Sequence, residues 1–181
     1  MHDFDLDRAL RQHEASSAIE AATRSRFLAL LGESPRCFSR DCFPAHFTAS
    51  AWLVSADGER ALLLHHRKLA RWLQPGGHAD GDSDLARVAL REATEETGLA
   101  GLAVDADPFD LDAHVIPARG DEPEHWHYDL RFVVRATASE QFIANSESRD
   151  MAWRAITDIA SDFELDASIR RMARRWLARA G

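Results

Sequence analysis

Three glutamates crowd the end of one segment, GGHADGDSDLARVALREATEETGL (residues 76–99). On a helix, Glu92, Glu95 and Glu96 stand at i, i+3 and i+4 and share a face. Ala86, Ala89, Leu90, Ala93 and Thr97 share the neighbouring, apolar face, and the three alanines permit close packing. Local rules oppose the acidic face. Like charges at i, i+4 cost about 0.2–0.5 kcal/mol per pair, and carboxylates in the last turn oppose the helix dipole by about 0.3–1 kcal/mol each when exposed. A divalent cation would convert this repulsion into coordination, since magnesium takes one or two carboxylates together with phosphate oxygens. The competing reading is a solvated acidic face on a good helix former. The pair Gly76–Gly77 ahead of the helix favours the cation, because glycine lets backbone carbonyls come close to a ligand at low steric cost.

The elements that position this face can be read outward from it. Asp82 or Ser83 is placed to cap the helix, and Gly98 to stop it in the left-handed conformation. Upstream, FTASAWLVS (47–55) reads as a strand, and Asp57–Gly58 as a hairpin turn into RALLLHH (60–66). Downstream come LDAHVIPA (111–118), HWHYDLRFVVRA (125–136) and MAWRAI (151–156). In the second of these, Trp126, Tyr128, Leu130, Phe132 and Val134 alternate with polar residues at a period of two. Ile169, Met172, Ala173, Trp176 and Leu177 form the apolar face of a closing helix. The first 31 residues also read as helical, with Ser17 and Glu20 as a capping box and Ile19, Thr23, Phe27 and Leu30 as a stripe. The expected fold is one layered α/β (α+β) domain preceded by an N-terminal helical arm, residues 1–35, with the break within residues 32–44.

The segment resembles the Nudix box of Nudix hydrolases, G-x5-E-x7-R-E-U-x-E-E-x-G-U with U apolar. Gly77, Arg91, Glu92, Ala93, Glu95, Glu96, Gly98 and Leu99 match at the required spacing. The looser resemblance covers about residues 45–160 and implies a Nudix domain over 36–181, an α/β/α sandwich with a mixed sheet. It implies a hydrolase that cleaves the pyrophosphate linkage of a nucleoside diphosphate derivative or nucleoside triphosphate, with Mg2+ or Mn2+. By match, Glu92, Glu95, Glu96 and the Gly76 carbonyl would hold the cations, and Arg91 would orient a glutamate. Glu147 falls where a base-supplying loop glutamate occurs in the family. One position departs: Ser83 replaces the first glutamate of the box, with Asp80, Asp82 and Asp84 around it. That departure motivates the alternative of a non-catalytic nucleotide-binding sensor. An isomerase of the isopentenyl diphosphate type, drawing on Cys42 as acid, shares the fold and ranks lower.

His125, His127, Asp129 and Arg131 share a strand face that either lines the substrate cleft, His127 and Asp129 first, or is the wet side of a one-sided sheet. Arg67 and His65, His66 and His78 flank the box and are placed to meet phosphates or simply solvent. The net charge of −8 argues against non-specific binding to nucleic acid or anionic membranes, both of which want basic surface. Arg170, Arg171, Arg174, Arg175 and Arg179 suit the C-terminal helix dipole and are not read as a nucleic-acid surface. Cys37 and Cys42 are expected to be reduced thiols, lacking the nearby Cys/His set that zinc requires. No apolar run reaches the ~20 residues of a bilayer span, and the N-terminus lacks the apolar core of a signal peptide. The expected compartment is the cytoplasm and the expected partner a small nucleotide; a homodimer stays open.

Overall fold

The computed structural model describes residues 5–67, 69–143 and 148–179, with the backbone alone at 148 and 149. Two helices come first, α1 (Leu6–Gln12) and α2 (Ala18–Glu33). Then follow β1 (Ala45–Val54), β2 (Arg60–His66), β3 (Arg71–Leu73), β4 (Gly76–His78) and α3 (Leu85–Thr97). The chain continues through β5 (Leu102–Ile116), β6 (His125–Ala136), β7 (Ser148–Ala155), α4 (Ile156–Ser161) and α5 (Ala167–Arg179). Among the described residues the strands form one mixed sheet in the order β3-β2-β1-β6-β5, with β4 on β1 and β7 on β2. Among the described strands only β1 and β6 run parallel, with His46 beside His127 and Val54 beside Arg135.

The alternation of β6 divides the sheet into two faces. Its even residues from Tyr128 to Val134 and the odd residues of β1 from Phe47 to Leu53 pack against α1, α2 and α3. Trp52, Val54, Ala61, Leu63, Phe109 and Val133 pack on the other side against α4 and α5. Helices therefore cover both faces, as the expected sandwich requires. The N-terminal helices lie against the sheet: Leu6, Leu10 and Phe27 join the same cluster as Phe47, and the Phe27 ring stacks on Tyr128 at 4.8 Å.

Two expectations for this region need correction. The first helix is broken in two rather than continuous, and the expected stripe is rotated: Ile19 is 81% exposed whereas Glu20 and Phe27 are buried. The cause is Glu20. Ser17 does cap α2, its hydroxyl accepting from the Glu20 N–H. The Glu20 carboxylate, however, accepts from Ser16, from Arg175 on α5, and pairs with His13 at 2.8 Å. Burial opposes its ionisation, but these hydrogen bonds outweigh burial and hold the carboxyl well below the usual range. A polar staple, not the apolar stripe, thus sets the rotation of α2.

Candidate active site

The box helix α3 buries Leu85, Ala86, Val88, Ala89, Ala93 and Thr97 and turns its acidic face toward β4. Its N-cap is Asp84, whose carboxylate accepts from the Arg87 N–H at 3.0 Å, rather than Asp82 or Ser83. Three adjacent residues offer the same capping oxygen, and the backbone turn selects the last. Gly98 ends the helix in the left-handed region at φ 65°, as expected. Of the carboxylates around exposed Ser83, Asp80 is held by Arg40, Asp82 by Arg87, and Asp84 by the cap itself.

The glutamates meet the glycine strand closely. Glu96 accepts from the Gly76 N–H at 2.9 Å. A Cβ added at Gly77 would lie 2.5 Å from Glu92 Oε2, so that carboxylate occupies the space a side chain would take. Gly76 is paired with Ser50 and Gly77 with Ala49 on β1, and a Cβ at Gly76 would meet the Ala49 carbonyl at 2.9 Å. Both glycines are thus required by close approach on opposite sides: the core strand for Gly76, the glutamate for Gly77. Glu95 is exposed at the rim.

Arg91 does not pair down the helix with Glu95 as the i, i+4 spacing suggests. Its Nη2 donates to Glu92 Oε1 at 2.8 Å and to the His78 carbonyl at 2.9 Å. The hydrogen bond to Glu92 raises the guanidinium pKa further, against a smaller opposing effect of burial. Arg91 therefore ties Glu92 to the end of β4 and fixes where that carboxylate points.

The face bearing His125, His127, Asp129 and Arg131 is not the wet side of the sheet. Asp129 accepts from Thr48, Ser50 and Arg131 within a buried network. Arg131 is enclosed by Asp110, Asp112 and Asp129, and Arg171 on α5 closes over Asp110 and Asp112. Burial opposes ionisation of Asp112, yet the Arg131 charge and the hydrogen bonds from His114 and Arg171 hold its carboxyl well below the usual range. His127 lies partly buried at the open end of this face, and burial, helped by its histidine neighbours, lowers its pKa. Arg67 is exposed in the turn after β2. Glu147 lies outside the described residues. The arginines of α5 act as fasteners: Arg171 on Asp110, Arg174 on the Ala160 carbonyl, Arg175 on Glu20. Cys37 and Cys42 are free and buried, with the Cys42 sulfur 3.5 Å from Ser34 Oγ.

Sequence reasoning missed His46, Thr48 and Ser50. The alternation in HFTAS (46–50) is their one signal, and it gains meaning only once β1 is known to lie beside β6.

With this geometry in place, the comparisons with known proteins are direct. Residues 44–176 match the model of the NUDIX domain family, and the chain belongs to that family. A Mycobacterium tuberculosis protein named "Putative 8-oxo-dGTP diphosphatase 3" is 34% identical over 113 residues, 58% of this chain and 48% of that protein. The chain thus spans about half the length of the curated relatives it matches. Among solved structures, a C. elegans Ap4A hydrolase binary complex superposes with a TM-score of 0.58 at 19% identity, covering 74% of this chain and 96% of that one. A NUDIX-family hydrolase from Clostridium perfringens gives 0.58 at 22%, covering 75% and 98%. At such identities these two show the fold. No helix among the described residues is long and apolar enough to cross a membrane.

Proposed function

We propose that the chain is a divalent-metal-dependent hydrolase that cleaves the pyrophosphate linkage of a nucleoside triphosphate or a nucleoside diphosphate derivative. One observation carries this reading: Glu92 and Glu96 converge on the Gly76–Gly77 backbone, with Arg91 fixing Glu92 against β4. The donor set fits a hard cation, because all its side-chain ligands are carboxylate oxygens on one helix face beside glycine backbone. Glu92, Glu95 and Glu96 would hold magnesium or manganese, which supplies charge neutralisation for phosphate oxygens and acidifies a coordinated water. The Gly76 carbonyl is the further candidate ligand.

The protein's own part is positioning. Arg91 keeps Glu92 aimed at the site. A basic residue takes the proton from the attacking water; a box glutamate or Glu147 fills this role. The water oxygen bonds to phosphorus, the P–O bond of the bridge breaks, and the leaving phosphate carries off the electron pair. Arg67 is assigned to the substrate side, and Asp129, held in its buried network with Thr48, Ser50 and Arg131, acts as a positioning residue. The M. tuberculosis relative's name makes an oxidised purine nucleoside triphosphate the first substrate to try. The isomerase alternative needs Cys42 at the metal site, but its sulfur meets Ser34 Oγ instead.

A screen of nucleoside triphosphates and diphosphate derivatives, with products identified by mass, tests the proposal. Turnover is expected with magnesium or manganese and to vanish in excess chelator. Nucleotide binding without turnover of any substrate would favour the sensor reading, which Ser83 motivates. Undiminished turnover in chelator would overturn the metal mechanism.

Gly77→Ala gives a sharper test of geometry. The new methyl meets the flexible end of Glu92 rather than backbone. Melting should change little, while the displaced carboxylate lowers kcat by about 10²-fold, the scale of an ångström-level misplacement. Wild-type turnover in that variant would show that the Glu92–Gly77 contact is incidental.

A further inference from the structure

A group of histidines lies on the sheet face beyond Asp129, apart from the glutamates. His46 and His127 are neighbours across the parallel pair β1–β6. His125 stands two positions before His127, on the same face. Ring centroids are 4.8 Å apart for His46 and His127, 5.0 Å for His46 and His125, and 5.2 Å for His125 and His127. One nitrogen from each of the three lies within 4.8 Å of the other two. His46 and His125 are buried and His127 is partly so.

The hydrogen bonds fix which nitrogens carry the protons. His125 Nδ1 faces the Pro123 carbonyl at 2.8 Å, and His46 Nδ1 faces the Cys42 carbonyl at 3.3 Å. A carbonyl only accepts, so both Nδ1 atoms carry the proton and both Nε2 atoms present lone pairs. His46 Nε2 is buried without a hydrogen-bond partner. Leaving such an atom unsatisfied costs about 1–3 kcal/mol, and a residue that merely filled space would not need the nitrogen. An imidazole whose other N–H is tied to a backbone carbonyl is the usual setting of a metal-bound histidine.

We propose that His46, His125 and His127 form a binding site for a borderline first-row divalent cation of the zinc type, separate from the hard-cation site of the glutamates. Three neutral imidazoles select zinc-like ions over magnesium, which takes oxygen ligands. Bonds of 2.0–2.1 Å in tetrahedral geometry place ligand nitrogens roughly 3.3 Å apart. His125 Nε2 accepts a hydrogen bond from His127 Nε2 at 3.3 Å; the cation would take the place of that shared proton, with His127 shifting its own proton to Nδ1 and His46 making a small approach to complete the triad. The fourth position is open to water, to His78, whose ring lies 5.0 Å from that of His127, or to Glu122, whose Oε1 is 3.8 Å from His125 Nε2. The half-exposed Glu122 marks the path of entry. Once bound, the ion would cross-link β1 to β6 beside β4, the strand whose His78 carbonyl anchors Arg91.

The experiment uses the full chain stripped of metal and titrated with zinc by calorimetry, with cobalt as a spectroscopic probe and melting as an independent readout. One zinc per chain, a raised melting temperature and the visible bands of nitrogen-ligated tetrahedral cobalt are expected. His46→Gln and His127→Ala should each weaken zinc binding by more than about 100-fold, beyond the 10–100-fold that outer partners are worth. Glu92→Gln combined with Glu96→Gln should leave it within a few-fold. Should His46→Gln fail to fold, the partly exposed His127 and the wild-type cobalt spectrum still decide. Absence of zinc uptake by the wild type, uptake indifferent to the histidine changes, or uptake lost with the glutamates would overturn the proposal.

Discussion

Glu96→Gln is expected to lower kcat by about 10²–10³-fold, the loss seen when one preorganised stabiliser of transition-state charge is removed. The fold should barely notice. The amide oxygen can still accept the Gly76 N–H that the carboxylate holds at 2.9 Å, trading a charge-assisted bond for a neutral one. Relief of like-charge repulsion with Glu92, about 0.2–0.5 kcal/mol, works the other way. Melting in chelator should therefore move by no more than the equivalent of about 1 kcal/mol, a typical net hydrogen-bond contribution. A solvated acidic face predicts the same melting result and no change in rate. Single-turnover rates in magnesium and melts in chelator, taken on one preparation, separate the two. A variant as fast as wild type would remove Glu96 from the site.

The largest effect on stability should come from Arg131→Met. Arg131 is buried and meets Asp110 at 3.4 Å, Asp112 at 3.3 Å and Asp129 at 2.8 Å. Methionine fills much of the volume but leaves buried carboxylates with a missing partner, which costs about 3–5 kcal/mol. In a chain of this size that is on the order of 10 °C in melting temperature. Adding Asp129→Asn should recover part of the loss, because one of the stranded charges is then gone. Asp129 would keep Thr48 and Ser50 as donors, so the single Asp129→Asn change should be the milder of the two. Thermal denaturation of the three variants checks the order. Equal melting of Arg131→Met and wild type would mean that the remaining cation, Arg171, carries the network alone.

What was legible in the sequence was local. The box helix could be read because its signature, its left-handed glycine and its alanine face all fall within one contiguous stretch. The strand Trp126–Val134 showed itself by an alternation that breaks at Val133, where the second face is apolar too. The misassigned helix cap has a local cause too. Asp82, Ser83 and Asp84 offer equivalent capping oxygens, and only the backbone path chooses Asp84. Arg91 does orient a glutamate, and the His78 carbonyl that it also binds makes that glutamate Glu92. What could not be read depends on pairing between distant strands. Thr48 and Ser50 look like ordinary polar strand residues until β6 brings Asp129 beneath them. Asp110 and Asp112 look solvated until α5 supplies Arg171. The histidine triad joins residues that share no motif, and its meaning arises from the parallel register alone.

That register also sets an order of events during synthesis. Thr48 bonds to Asp129 across 81 residues of chain, and β1 has β6 along its whole length. A nascent chain that has emerged through α3 already holds every box residue, yet the strand to which β4 is paired still lacks one flank. The apolar odd residues of β1 and the rings of Phe27 and Phe47 wait, uncovered, for Tyr128, Leu130 and Phe132. Such long-range closure is slow to form and exposes sticky surface meanwhile. The glutamate-bearing segment is therefore made early but organised late, and a ribosome-bound intermediate ending before β6 is the stage at which this chain most needs protection from aggregation.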